Sequence, residues 1–154
     1  METGGISVLI AAHQEAARAS LAECLSADYA CVTVKNAGEA MEQLESARFN
    51  VAIADITMVS TTGLPLCELI RENFPHTVVV AASRADTAEC TIEAMRQGAF
   101  EFIAEPFDLA QVTRSVAHAL SCGTAVGDRH TLSHSAAAGK AASFLTRRLA
   151  SFGD

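Results

Sequence analysis

The chain has 154 residues, the length of one domain with a short appendage, and half of them are hydrophobic, enough for a sizeable buried core. The formal net charge is −7, and it is unevenly placed, since residues 1–122 hold seven Lys and Arg against sixteen Asp and Glu. An acidic body repels phosphates, which argues against direct nucleic-acid binding by this chain.

The cysteines and the N-terminal region predict a cytoplasmic protein. Five cysteines occur and no Cys-x-x-Cys pair is present, so free thiols in a reducing compartment are expected. Four of them fall in apolar helix or strand patterns, where a buried thiol is the usual interpretation. No signal peptide is visible, and no apolar run approaches the roughly 20 residues that span a bilayer. We therefore expect no membrane association.

Apolar runs alternate with helical patterns along the chain. Continuous apolar runs predict strands at 7–12, 30–35, 51–55, 77–83 and 100–105. Amphipathic patterns predict helices at 14–27, 37–47, 63–74, 87–98 and 108–121. Pro65 is tolerable in the first turn of the third helix, Gly98 ends the fourth, and Asp108 is expected to cap the fifth.

This alternation predicts an α/β fold with a doubly wound, five-stranded parallel sheet. Continuous apolar runs indicate strands buried on both faces, and hence helices on both sides of the sheet. With right-handed crossovers, the expected strand order is 2-1-3-4-5, the flavodoxin-like arrangement. Its functional crevice lies at the carboxyl ends of the strands, between strands one and three. The run VAIAD (51–55) ends there, which makes Asp55 the first candidate functional residue.

The C-terminal residues differ in composition from the rest. Residues 122–139 are small and polar and are interpreted as a linker, whereas 140–152 has an apolar stripe at helical spacing around Phe144 and Phe152. A helix this short is not stable alone in water, so we expect it to dock on its own domain or on a second chain.

Together with Asp55, several other residues give the chain a resemblance to a response-regulator receiver domain of two-component signalling. The resemblance extends from about residue 6 to residue 121. The residues that carry it are DITM…GL with Gly63, Ser83 after the fourth strand, GAFEFI (98–103) and EPFD (105–108). The interval of 22 residues from Ser83 to Glu105 is similar to the family's spacing between its switch hydroxyl and its basic residue. In sequence character, the stretch QGAFEFIAEPFDL is most similar to the receivers of enhancer-binding transcription activators.

The resemblance implies a chemical role for four residues. A phosphoryl group would pass from a histidine kinase to Asp55. Ser83 would be the switch hydroxyl, Phe102 the switch aromatic residue, and Pro106 the proline that is usually cis. The same resemblance implies two acids after strand one that help to hold Mg²⁺, and a lysine that pairs with the phosphoryl oxygens.

The chain departs from the family pattern at the positions that carry charge. Ala12 and His13 stand in place of the acid pair, Glu105 in place of the lysine, and Val59 where a proline usually follows the acceptor. Mg²⁺ requires hard oxygen ligands, which Ala12 lacks and a neutral imidazole replaces poorly. Two unit charges ~4 Å apart interact by about 4 kcal/mol at an effective dielectric constant of 20. A carboxylate in place of a cation should therefore slow phosphotransfer by several orders of magnitude, and we predict weak or absent Mg²⁺ binding and no other cofactor.

The favoured function is that of an atypical receiver domain, a signalling and interaction module rather than an enzyme, with impaired Mg²⁺-dependent phosphorylation. Two alternatives stay open. One is a working receiver phosphorylated on Asp55 by a histidine kinase. The other is a pseudo-receiver that senses pH or a small ligand through His13, Asp55 and Glu105. Expected partners are a kinase or output domain and a second copy, which would pair through the face of helix four, strand five and helix five.

Overall fold

The computed structural model describes the backbone of residues 6–128 and the side chains of residues 6–122. Within this part of the chain, five strands alternate with five helices, as the apolar runs predict. They are β1 Ser7–Ala11, α1 Glu15–Leu25, β2 Ala30–Val34, α2 Ala37–Ser46, β3 Val51–Asp55, α3 Leu66–Asn73, β4 Val78–Ser83, α4 Ala88–Arg96, β5 Glu101–Ala104 and α5 Leu109–Asp128.

The strands form one parallel sheet in the order β2-β1-β3-β4-β5. This confirms the predicted fold class and strand order. Asp55 lies opposite Ala82 of β4, and Ser83 lies opposite Ala104 of β5. The carboxyl ends of β3, β4 and β5 therefore lie side by side along one edge of the sheet.

The core has two halves, one on each face of the sheet, because every central strand buries both of its faces. Ala52 and Ala54 of β3 pack with α2, α3 and α4 on one face. Val51 and Ile53 pack with α1 and α5 on the other. Alternate side chains of one apolar run thus serve opposite halves of the core, which explains why the run has no polar interruptions.

The end of α4 agrees with the sequence prediction. Gly98 has a φ of +86°, a conformation that favours glycine, and its N–H donates to the carbonyl of Met95. A Cβ at this position would lie 2.1 Å from Nε of Arg71 on α3. The glycine therefore both ends α4 and gives space to a neighbouring side chain.

The start of α3 differs from the sequence prediction, since the helix begins at Leu66 and not at residue 63. Gly63 has a φ of +87°, and the preceding turn pairs with itself through a bridge between Val59 and Pro65. The N–H of Ser60 donates to the carbonyl of Leu64, 2.9 Å away. Residues 59–65 therefore form a small hairpin, and Pro65 precedes the helix in an extended conformation.

The helix α5 extends further than its apolar pattern indicates. Its backbone is helical to Asp128, so it includes residues 122–128 of the segment interpreted as a linker. Adding a residue to a formed helix is far easier than starting one, so a weak sequence can follow a well-packed helix. The predicted helix at 140–152 lies outside the described residues. None of the helices within 6–128 combines the length and apolar character needed to cross a membrane.

All five cysteines are free, as expected, but only Cys67 is fully buried. Cys24, Cys31, Cys90 and Cys122 are half-buried. The expectation that four thiols are buried is therefore wrong for most of them. An apolar pattern places a residue toward the core but does not show that neighbouring elements cover it, as Cys31 on the edge strand β2 illustrates.

Candidate functional site

Asp55 ends β3 at the carboxyl edge of the sheet, where it is half-buried. Its Oδ1 accepts two hydrogen bonds from Thr57, one from the backbone N–H at 2.8 Å and one from Oγ1 at 2.7 Å. This local closure is typical of an aspartate that begins a turn. One of the two carboxylate oxygens, Oδ1, is thus already hydrogen-bonded within the protein.

Ser83 and the residues of β5 lie next to Asp55 along the same edge. Ser83 is 5% exposed, and its Oγ accepts a hydrogen bond from the N–H of Ala85 at 3.1 Å. The N–H of Glu105 donates to the carbonyl of Ser83 at 2.9 Å, which ties the end of β5 to the end of β4. Phe102 is 2% exposed and packs into the half of the core that α2, α3 and α4 cover. The Glu105–Pro106 peptide bond is cis, the configuration that the family resemblance implies.

The end of β1 carries no acidic side chain. Ala12 is buried and His13 is exposed to solvent. Nη1 of Arg18 donates to the carbonyl oxygens of Ala12 and His13, at 2.8 and 3.0 Å. A fixed guanidinium therefore holds the two carbonyl groups that follow β1, and a positive charge lies at this end of the crevice.

The residues of the crevice do not fit a divalent cation of the family type. Mg²⁺ binds through oxygen atoms, preferably carboxylates, in an octahedron. Within the described residues no group of three or more His, Cys, Asp or Glu side chains is arranged to hold a metal ion. At the end of β1, Ala12 has no ligand atom, and the two nearby carbonyls face a guanidinium. The donor set therefore disagrees with the metal that the family fold implies.

The three ionisable side chains around the crevice do not form one cluster. In residues 6–122 no ion pair joins His13, Asp55 and Glu105. Asp55 is stabilised by Thr57, two residues along its own loop, and not by an imidazolium. The coupled titration of these three groups stays a prediction, and no contact supports it.

A buried thiol lies beneath β3, the strand that ends at Asp55. The Cys67 side chain on α3 is fully buried, and its Sγ donates to the carbonyl of Ala54 at 3.7 Å. Burial raises the pKa of this thiol to about 12, with smaller contributions from the negative charges of Asp55 and Glu93. The thiol is therefore neutral at physiological pH and acts as a core residue.

Gln97 is a residue of this region that sequence reasoning did not identify. It follows the last turn of α4, is 3% exposed, and donates from Nε2 to the carbonyl of Ile56 at 2.9 Å and to Oε2 of Glu93 at 2.8 Å. The spacing of Glu93 and Gln97 indicates a contact on one helix face. The contact with Ile56, 41 residues away in sequence, has no local signal.

His118 has a partner that its sequence position does not indicate. Its Nδ1 lies 2.6 Å from Oε2 of Glu101 on β5, and its ring centroid is 5.1 Å from that of Phe100. The side chain of His118 is 45% exposed. The pair joins α5 to β5 on the face where we predicted pairing with a second chain.

Comparison with known proteins agrees with this fold. A family model described as "Response regulator receiver domain" matches residues 8–117. The DNA-binding transcriptional regulator NtrC of Escherichia coli (strain K12) is 31% identical over 91 residues, which are 59% of this chain and 19% of that protein. The response regulator protein FleR of Pseudomonas aeruginosa is 32% identical over 115 residues, 73% of this chain and 24% of that protein.

The chain thus spans about a fifth to a quarter of the length of these curated relatives. Among solved structures, the beryllofluoride-activated NtrC4 receiver domain dimer gives a TM-score of 0.66 at 25% identity, over 76% of this chain and 98% of that chain. The family model covers well over half of the residues. From its strand order, the position of Asp55 and this match, we conclude that the chain belongs to the response regulator receiver domain family of two-component signalling.

Proposed function

We propose that this chain is an atypical receiver in which phosphotransfer to Asp55 is strongly impaired, and that it signals through protein contacts. One observation carries the proposal. The positions that would supply the Mg²⁺ ligands after β1 hold the methyl group of Ala12 and the exposed imidazole of His13, and the position of the phosphate-pairing lysine holds Glu105. Charge stabilisation of a phosphoryl group by oriented cations is usually the largest catalytic contribution, and it is lost here.

The hydrogen bonds of Asp55 support the same proposal. Both donors of Thr57 act on Oδ1, at 2.8 and 2.7 Å, and a carboxylate oxygen that accepts two hydrogen bonds is a weaker nucleophile. The local sequence therefore stabilises the unmodified carboxylate, whereas a typical acceptor needs an external cation for that purpose.

A second candidate is a working phosphoacceptor, and the opposite side of the crevice favours it. Ser83 on β4 and Phe102 on β5, which the family resemblance implies as switch residues, are both present and buried. Asp55 is half-buried and so accessible, and Thr57 contacts only one of its carboxylate oxygens.

Acetyl phosphate with millimolar Mg²⁺, followed by intact-mass spectrometry, tests the choice between the two. We expect no more than a few per cent of the chain to gain a phosphoryl group in one hour, and no difference between the wild type and Asp55→Asn. Stoichiometric labelling of the wild type within minutes, absent in Asp55→Asn, would contradict the proposal and establish the second candidate.

We also propose that the partners are proteins of transcriptional control and a second copy of this chain. The names of NtrC and FleR describe regulators, and NtrC is described as DNA-binding, which supports an output in transcription. The similar NtrC4 receiver is described as a dimer. On this chain, Ile92 of α4 is 44% exposed and Leu109 of α5 is 59% exposed, which leaves apolar surface on the face expected to pair.

A further inference from the structure

Gln97 places a polar side chain inside the core at the end of α4. The residue is 3% exposed, and both hydrogen bonds of its amide come from Nε2. Its Oε1 is buried and has no hydrogen-bond partner in the described residues. A buried acceptor without a donor destabilises a fold, so an apolar side chain would be the simpler solution for packing alone.

The orientation of the amide is fixed by its two partners. Ile56 offers a carbonyl oxygen at 2.9 Å and Glu93 a carboxylate oxygen at 2.8 Å, and both groups can only accept. A rotated amide would bring Oε1 against two acceptors, so Nε2 must face them. Glu93 also lies 3.4 Å from Nη1 of Arg96, which neutralises part of its charge.

The partner of Gln97 belongs to the loop that carries Asp55. The N–H of Ile56 donates to the carbonyl of Ala82 on β4 at 2.9 Å, and the carbonyl of Ile56 accepts from Gln97. The first residue after Asp55 is therefore fastened to β4 on one side and to α4 on the other. The next residue, Thr57, is bonded to the Asp55 carboxylate itself.

We propose that Gln97 is a positioning residue that couples the loop after Asp55 to the C-terminal end of α4. A change at the carboxylate that moves Thr57 displaces the Ile56 carbonyl, and the hydrogen bond transmits this displacement to α4. The route differs from the one through Ser83 and Phe102, which lie on β4 and β5. It also does not depend on whether the change at Asp55 is a phosphoryl group, a ligand or a protein contact.

The test perturbs the loop and measures the response of the helix. Thr57→Val removes the hydroxyl that bonds Asp55, and the substituted residue lies outside α4. We expect this substitution to shift the backbone amide NMR signals of Ala88–Arg96, and to shift them by less than half as much when Gln97 is replaced by Met. Equal shifts of the α4 signals in the Gln97 and Gln97→Met backgrounds would overturn the proposal.

A matched control separates the two bonds of the amide. Glu93→Gln keeps an acceptor oxygen for Gln97 and leaves the bond to Ile56 in place, so the response of α4 should stay at the wild-type level. Loss of the response in Glu93→Gln, to the same degree as in Gln97→Met, would overturn the assignment to Gln97 and Ile56.

A measurement on the wild type covers the case in which Gln97→Met does not fold. The side-chain amide protons of Gln97 should exchange with solvent at least tenfold more slowly than those of Gln43 and Gln111, which are only half-buried. Exchange of all three at similar rates would show that the bond to Ile56 is not maintained in solution, and the proposal would fail. Neither result depends on the acetyl phosphate experiment.

Discussion

The two sides of the crevice differ in how closely their residues match the receiver family pattern. The switch side, made of Ser83, Phe102 and Pro106, keeps the residues that the family resemblance implies, with Ser83 and Phe102 buried. The charge side, made of Ala12, His13 and Glu105, has other residues where the family resemblance implies two acids and a lysine.

The difference shows which parts of the site the fold itself requires. Phe102 is a core residue, and the carbonyl of Ser83 bonds to the backbone of Glu105, so both contribute to packing between β4, β5 and the helices. On the charge side, Ala12 is buried, but His13 is exposed and Glu105 is only half-buried, so these two side chains can change with little loss of packing. In this fold, substitutions can therefore remove the groups that phosphotransfer needs more easily than they can change the arrangement of Ser83 and Phe102.

Restoring the charge side should have the largest effect. Ala12→Asp together with Glu105→Lys returns one oxygen ligand and one cation to the crevice, and we expect phosphorylation by acetyl phosphate to accelerate about a thousandfold, equivalent to about 4 kcal/mol. Intact-mass time courses measure the rate. The neutral pair Ala12→Asn with Glu105→Gln restores neither the carboxylate ligand nor the cation, so its phosphorylation rate should increase far less. No acceleration in the charged pair would place the defect elsewhere, with Thr57 as the next residue to test.

Removing the switch side should affect stability, in contrast to the charge side. Phe102→Ala empties a space in the core and should lower the free energy of unfolding by about 3 to 5 kcal/mol. Ser83→Ala removes one hydrogen-bonding hydroxyl and should cost only about 1 kcal/mol. Urea unfolding followed by circular dichroism gives both values. His13→Ala is the matched control, and a loss there as large as that of Phe102→Ala would refute the division into two sides.

Alkaline pH should destabilise the protein through ionisation of the Cys67 thiol, which lies beneath β3. Its pKa is raised to about 12 in the folded state, above the ordinary thiol value of 9.0. Below pH 9 the thiol is protonated in both states, so the full stabilisation is present. Between pH 9 and 12 only the unfolded state releases the proton, and stability falls by about 1 kcal/mol per pH unit.

The matched variant Cys67→Ala lacks this titration. Its free energy of unfolding should start lower, because the core loses a side chain, but should decline less steeply above pH 9. Urea unfolding at pH 8, 9 and 10 measures both slopes. Identical slopes for the wild type and Cys67→Ala would show that the thiol does not remain buried and neutral as the structure has it.

The smallest expected effect concerns pairing through α4, β5 and α5. Ile92→Asp places a charge on the exposed apolar surface of α4 and should raise the concentration of half-association at least severalfold, as measured by light scattering. Val59 has a similar exposure, 49%, but lies on the hairpin after β3. Val59→Asp should therefore leave association unchanged. An equal effect of the two substitutions would mean that a different face pairs.

The sequence predicts the order of the elements well, because that order depends on apolar periodicity. VAIAD is buried on both faces of β3, as a continuous run indicates. The sequence predicts the start of α3 three residues early because the hairpin at 59–65 is stabilised by its own backbone pairing, which composition does not reveal. The small, polar composition of residues 122–128 predicts a linker because it does not show that these residues extend a well-packed helix.

The candidate site could be predicted residue by residue but not contact by contact. The resemblance identifies Asp55, Ser83 and Phe102 by their positions, and the structure places them at the carboxyl edge and in the core as expected. The spacing Asp-x-Thr at 55–57 is a recognisable signal for the turn that satisfies Asp55. The bond between Gln97 and Ile56 is a tertiary contact between distant segments, and periodicity within one helix cannot show it.

The two edges of the sheet have a consequence for solubility. β2 is an edge strand without charged residues, and β5, at the opposite edge, is only four residues long, with Glu101 at its start and Glu105 just after its end. Pairing of β5 in one molecule with β2 in the next would be head-to-tail and could extend without limit. The carboxylates of Glu101 and Glu105 oppose this growth by charge repulsion. Glu105→Gln should therefore promote aggregation, and turbidity that does not rise in this variant would show that the edges are protected by other means.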